Sequence, residues 1–186
     1  HGGRQQPPSD EAWRKKVDQQ GIAWTTDNIP FKTSKEGQNI AVVTLTGVYP
    51  QEITFPVQSE GKCLYLMISG ISFPVQSHVE QIRVTLHYDD GEEAFPLVSP
   101  YSIGDCWSSW CGRWHDTPAN GFENLGGRFG PAGSAEVSDR TKPVNVDTEA
   151  HLIAFPLREG KTLQSVTLRA VANDVLYGIM GASVRK

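Results

Sequence analysis

Cysteine is scarce in this chain, three residues in 186, and an odd count leaves at least one thiol unpaired. A disulfide framework is therefore not what holds the fold, and 38% hydrophobic residues suffice for a single apolar core. Cys63 lies in the strand-like run CLYLMIS and reads as a core thiol. Cys106 and Cys111 stand close enough to bridge, yet lack the paired CxxC repeats of a zinc site; disulfide and free thiols both remain open. Basic excess is also missing. With 17 basic residues against 21 acidic ones, the net charge of −4 offers no footprint for nucleic acid and no polybasic patch for a membrane surface. No apolar run approaches the roughly 20 residues of a membrane helix, and HGGRQQPPSD has neither the charged nor the apolar region of a signal peptide. His87, His115 and His151 show no HxH or HExxH spacing, which argues against a transition metal. Gly126, Gly127 and Gly130 neither follow a strand nor open a helix, so a phosphate cradle has no support.

What is present is mostly β pattern. The exception is SDEAWRKKVDQQG, where Ser9 as N-cap, early acids, later cations and Gly21 as stop predict a short helix pinned by Trp13 and Val17. We read residues 1–37 as an N-terminal extension carrying that helix and a polar connection from Trp24 to Gly37. Residues 38–186 form the β domain. Seven runs there have strand length and composition: NIAVVTLTGV, KCLYLMISG, VEQIRVTLHY, EEAFPLV, AHLIAFPL, LQSVTLRAVA and VLYGIMGASV. Ile82, Val84, Leu86 and Tyr88 alternate with Arg83, Thr85 and His87, and Val166, Leu168 and Ala170 with Ser165, Thr167 and Arg169. Such alternation predicts half-buried strands of an all-β, antiparallel sandwich. KCLYLMIS is apolar on both faces and must be covered twice, the N-terminal helix being the nearest cover. Asp89-Asp90-Gly91 and Asn173-Asp174 read as hairpin turns. ITFPVQS at 53–59 returns as ISFPVQS at 71–77, and Phe95-Pro96 and Phe155-Pro156 reuse the pair, which we read as a recurring strand-edge device.

From about residue 100 to 148 the periodicity stops. The stretch is dense in Gly, Ser and Asn and holds three of the chain's five tryptophans, Trp107, Trp110 and Trp114, beside Tyr101, Phe122 and Phe129. Loops beyond about 12–15 residues are usually functional or disordered, and large aromatics disfavour disorder. A sugar site needs flat apolar faces with planar polar groups beside them. We therefore single out as ligand contacts Trp107, Trp110, Arg113, Trp114, His115, Asp116, Asn120, Glu123, Asn124 and Arg128. The competing reading makes the tryptophans a minicore that folds the loop onto the sandwich.

The segment HYDDGEEAFPLVSPYSIGDCW, with its Tyr-x-Asp-Gly hairpin, Pro-Leu exit and Ile-Gly-Asp-x-Trp, resembles the jelly-roll, galactose-binding-like β-sandwich domains attached to carbohydrate-active enzymes of gut-type bacteria. The closing KTLQSVTLRAVANDVLYGIMGASV is similar to their final strand pair. The likeness covers about residues 60–186; CGRWHDTPANGFENLGGRFGPAGS matches nothing in it. It implies a jelly roll, a non-catalytic carbohydrate-binding or carbohydrate-associated role, a polysaccharide or oligosaccharide partner, and a secreted, periplasmic or cell-surface location. It also brings calcium into view, with Asp89 and Asp90 as oxygen donors, although an Asp-Asp-Gly turn needs no ion. Two other classes stand beside this one. A structural domain packing on a catalytic partner would bury the same aromatics, and a small hydrolase or lyase would use Asp105, Asp116 and Glu123, or His115 and Arg113 beside a tyrosine.

Overall fold

A computed structural model gives the fold and describes residues 14–15, 17–24, 29–72, 79–99, 103 and 151–186. All seven predicted runs form strands. In chain order the elements are β1 (Ile22–Trp24), β2 (Pro30–Lys32), β3 (Ala41–Thr44), β4 (Glu52–Ser59), β5 (Cys63–Ser72), β6 (Val79–Tyr88), β7 (Gly91–Ser99), β8 (His151–Pro156), β9 (Leu163–Ala170) and β10 (Val175–Arg185). Two four-stranded sheets, ordered β3-β10-β5-β8 and β4-β9-β6-β7, carry antiparallel pairings throughout, and β1 and β2 make a separate antiparallel pair. The arrangement is all-β and sandwich-like.

Period-2 patterning decides which side chains meet. The row Ile82, Val84, Leu86 and Tyr88 of β6 and the row Val166, Leu168 and Ala170 of β9 point inward, onto Leu64, Leu66 and Ile68 of β5 and Ile153 and Phe155 of β8. Phe95 of β7 meets Phe155 edge-on, ring centroids 5.5 Å apart, and so joins the two sheets. Inside this core the Tyr177 hydroxyl of β10 hydrogen-bonds Gln81 Oε1 of β6. Both turn readings hold: Asp89 and Asp90 close the β6–β7 hairpin, and Asn173 and Asp174, the latter at φ 57°, turn β9 into β10.

The predicted second cover over β5 exists and has a different form. Cys63, Tyr65 and Met67 of β5, with Leu152 and Ala154 of β8 and Met180, are buried beneath Val17, Ala23, Ile29 and Phe31. The cover is thus the β1–β2 hairpin with Val17. Of the helix expected over 9–21, residues 9–13 and 16 lie outside the described residues, and helical backbone is present at Arg14 and Lys15. From Val17 onward the chain is turn and then strand. Asp18 is the reason: its Oδ1 accepts the N–H groups of Gln20 at 2.8 Å and Ile22 at 3.0 Å, an Asx-type turn that competes with helical pairing. The connection expected from Trp24 to Gly37 contains β2, because Phe31 is driven into the outer face of β10 and β5; full burial of such a side chain is worth roughly 1.5–3 kcal/mol.

The Phe-Pro pairs take one consistent place. Phe55-Pro56 lies on β4, Phe95-Pro96 on β7 and Phe155-Pro156 on β8, and all three strands are sheet edges. Each phenylalanine faces the core, and each proline, which has no N–H to offer a ladder, lies on a strand that among the described residues has a neighbour on one side alone. Phe73-Pro74 falls outside the described residues.

Candidate functional site

The ten predicted contacts, Trp107, Trp110, Arg113, Trp114, His115, Asp116, Asn120, Glu123, Asn124 and Arg128, all lie outside the described residues, as do Cys106 and Cys111. What the fold does fix is where that stretch begins and ends. It departs after Ser99, which pairs with Val79 at the start of β6, and returns at His151, which pairs with Ile68 of β5. β7 and β8 are edge strands of opposite sheets, joined through Phe95 and Phe155. Ile103, four residues beyond the end of β7, is fully buried in the main core. The β9–β10 turn shares this end of the sandwich, and the exposed apolar side chains of Val48, Val79 and Val171 border it.

Three further surfaces carry chemistry among the described residues. The first is the outward row of the second sheet, where strand register aligns Thr54 of β4, Thr167 of β9 and Thr85 of β6. Thr167 Oγ1 lies 2.7 Å from Thr54 Oγ1 and 2.8 Å from His87 Nε2, while His87 Nδ1 stands 3.3 Å from Glu92 Oε2. The order hydroxyl, imidazole, carboxylate is that of an activated nucleophile. Its setting is not. β9 and β6 are central strands whose amides are engaged on both sides, so among the described residues no backbone N–H of these strands beside Thr167 is left to stabilise an oxyanion. As placed, the row can exchange hydrogen bonds with water or with a polyhydroxylated ligand.

The second surface joins the β6–β7 hairpin to the β8–β9 turn at the opposite end of the sandwich. The Arg158 guanidinium lies 4.8 Å from the centre of the Tyr88 ring, with Nη1 3.2 Å from Asp90 Oδ1 and Nε 3.6 Å from Glu93 Oε2. Lys161 Nζ lies 2.8 Å from Asp90 Oδ2. The Lys161 contact, with Arg158 behind it, holds the Asp90 carboxyl below the usual carboxylate range, and Asp90 in turn holds the Lys161 ammonium above its usual value. Burial pushes the Tyr88 phenol up. Both oxygens of Asp90 thus face cations, which opposes a calcium ion at the Asp89-Asp90 turn. Among the described residues no cluster of three or more His, Cys, Asp or Glu could hold a metal.

The third surface is a groove of about 520 Å³ along the side of the sandwich between β3 and β4, lined by Gln38–Ala41, Ile53–Phe55 and Ile179–Ala182. A neighbouring hollow of about 470 Å³ shares Gln38–Ala41 and Ile53 and adds Tyr49 and Arg14. Arg14 is structural here: its guanidinium donates to the carbonyls of Lys35 and Gly37 and to Asn39 Oδ1, pinning the rim. Sequence reading did not find this groove. Its one signal was the brevity of β3 beside the long final strand, which only strand pairing reveals.

No family model, no curated protein and no solved structure matches this chain. Among the described residues no helix is long and apolar enough to cross a membrane.

Proposed function

We propose that this chain is a non-catalytic carbohydrate-binding module of a secreted polysaccharide-processing system, with a jelly-roll, galactose-binding-like sandwich as its scaffold. The observation that carries the reading is the union of composition and position. A stretch holding three tryptophans, with Arg113, His115, Asp116, Asn120, Glu123, Asn124 and Arg128 beside them in sequence, connects two edge strands at one end of the double sheet. Loops on a fixed scaffold are where β-sandwich proteins commonly place ligand contacts. Indole faces stack on the apolar side of a pyranose while amide, carboxylate and guanidinium groups fork onto its hydroxyls.

The test is affinity electrophoresis of the chain through gels containing soluble plant and host polysaccharides, repeated with Trp110→Ala and Trp114→Ala. Retardation by one glycan class, lost in a variant whose unfolding midpoint is unchanged, supports the module. Loss of stability without any retardation supports the minicore reading, in which the tryptophans hold the loop onto the sandwich.

A further inference from the structure

Period-2 alternation sends Thr54 of β4, Ser165, Thr167 and Arg169 of β9, and Arg83, Thr85 and His87 of β6 to the outer face of the second sheet. Register then sets Thr54 opposite Thr167, and His87 between Ser165 of β9 and Glu92 of β7. The result is a continuous line of polar atoms. Thr167 Oγ1 lies 2.7 Å from Thr54 Oγ1 and 2.8 Å from His87 Nε2, and Glu92 Oε2 stands 3.3 Å from His87 Nδ1. From β6 to the edge strand β4 the line crosses two strand spacings, about 9–10 Å, and links an ionisable ring to an exposed hydroxyl.

A hydroxyl has a single proton to donate, so the order of these atoms restricts how the protons run. The Glu92 carboxylate beside Nδ1 favours the neutral tautomer with its proton on that nitrogen, which makes Nε2 an acceptor. Thr167 then directs its one proton at Nε2, and its bond to Thr54 forms only if Thr54 donates. Thr54 Oγ1 is left facing outward as an acceptor. In the imidazolium both ring nitrogens donate. Nε2–H now occupies a lone pair of Thr167 Oγ1, the Thr167 proton turns to Thr54 Oγ1, and Thr54 directs its own proton outward. The other charged groups around the ring are engaged elsewhere. On this face Arg83 pairs with Glu80, and Arg169 stands 3.9 Å from Glu52. At the hairpin end Arg158 meets Asp90 and Glu93, and Lys161 meets Asp90 with Asp89 nearby. Among the described residues, Glu92 is thus the charged side chain at His87.

We propose that this line is a proton-operated switch, in which ionisation of His87 reverses the direction of the hydrogen bonds and converts the outward side of Thr54 from acceptor to donor. With the ring neutral, the sheet edge offers an oxygen to a hydroxyl or an N–H group. With the ring charged, it offers a proton to a carbonyl or carboxylate oxygen. The reversal needs no backbone movement, since rotation of two hydroxyls accomplishes it. Thr167, with a partner on either side, is the coupling residue. The switch does not rest on the glycan reading.

The test is a nuclear magnetic resonance titration of the full chain between about pH 8 and pH 5, the range in which imidazoles ionise. Histidine rings carry nitrogen-15 and threonine methyls carbon-13, with the His87 signals assigned by their absence from His87→Gln. The expected result is a neutral His87 ring protonated on Nδ1, and a Thr54 methyl signal that shifts with the same midpoint as the ring. In Thr167→Val, which keeps the shape and removes the hydroxyl, His87 should still titrate while the Thr54 shift is lost. Thr167→Ser, which keeps the hydroxyl, should retain it. A neutral ring protonated on Nε2, or a Thr54 signal that ignores His87, overturns the proposal. An undiminished Thr54 shift in Thr167→Val overturns it too, since the charge would then act through space, as does loss of the shift in Thr167→Ser.

Discussion

Tyr177 and Gln81 meet from opposite sheets inside the core, and each is almost wholly buried. Tyr177→Phe keeps the ring and deprives Gln81 Oε1 of that hydroxyl donor, so the expected cost is about 1–3 kcal/mol in denaturant unfolding. Gly70 is held to its identity by contact rather than by conformation. A Cβ there would stand 2.1 Å from Tyr177 Cδ1 and 2.5 Å from the Leu176 carbonyl, and Gly70→Ala should destabilise by about 3 kcal/mol through overpacking. Asp90 and Lys161 set opposite ends of the pH profile. Asp90 titrates lower in the folded state than unfolded, so its contribution is present above about pH 4 and is lost as pH falls through the lower folded value. Lys161 titrates higher when folded, so its contribution is present below about pH 10.4 and is lost as pH rises through the raised value. Asp90→Asn should therefore flatten the acid-side decline of the melting temperature at low salt, and half-molar salt should erase much of the difference.

At the scale of elements, the strands were legible because their period-2 pattern and β-branched content are local properties. The alternating runs at 82–88 and 165–170 occupy the faces they announce. Of the N-terminal helix expected over 9–21, the last residues were misread, since from Val17 the chain is turn and then strand, with the Asp18 side chain accepting the amides of Gln20 and Ile22. β1 and β2 were hidden for a related reason: three-residue strands carry no period, and Phe31 becomes a core residue only once β10 lies beneath it. The Phe-Pro pairs were read as edges, and the three that lie on described residues stand at edges. Pro96→Val on β7 should consequently leave unfolding within about 1 kcal/mol of the parent while increasing self-association in light scattering, because it restores an N–H to an open edge.

For the whole molecule, the asymmetry of cover organises the surfaces. One outer face lies beneath the N-terminal hairpin and the other is an open polar face carrying the Thr54, Thr167 and His87 row. Phe31→Ala should cost about 3–5 kcal/mol and raise the labelling rate of Cys63, read by peptide mass mapping, since that thiol is 2% exposed beneath the hairpin. The proposed glycan contacts were legible only as composition: tryptophan density and planar polar groups mark a region, and the separations that would turn it into a site are tertiary properties. The ends of that region, Ser99 and His151 on facing edge strands, come from the fold. The most direct measurement is intrinsic tryptophan fluorescence of the chain titrated with plant and host glycans, with calcium and with chelator. A saturable shift confined to one glycan class, weakened by Trp110→Ala or Trp114→Ala, is the predicted result. A flat response across the panel would contradict the carbohydrate-binding account.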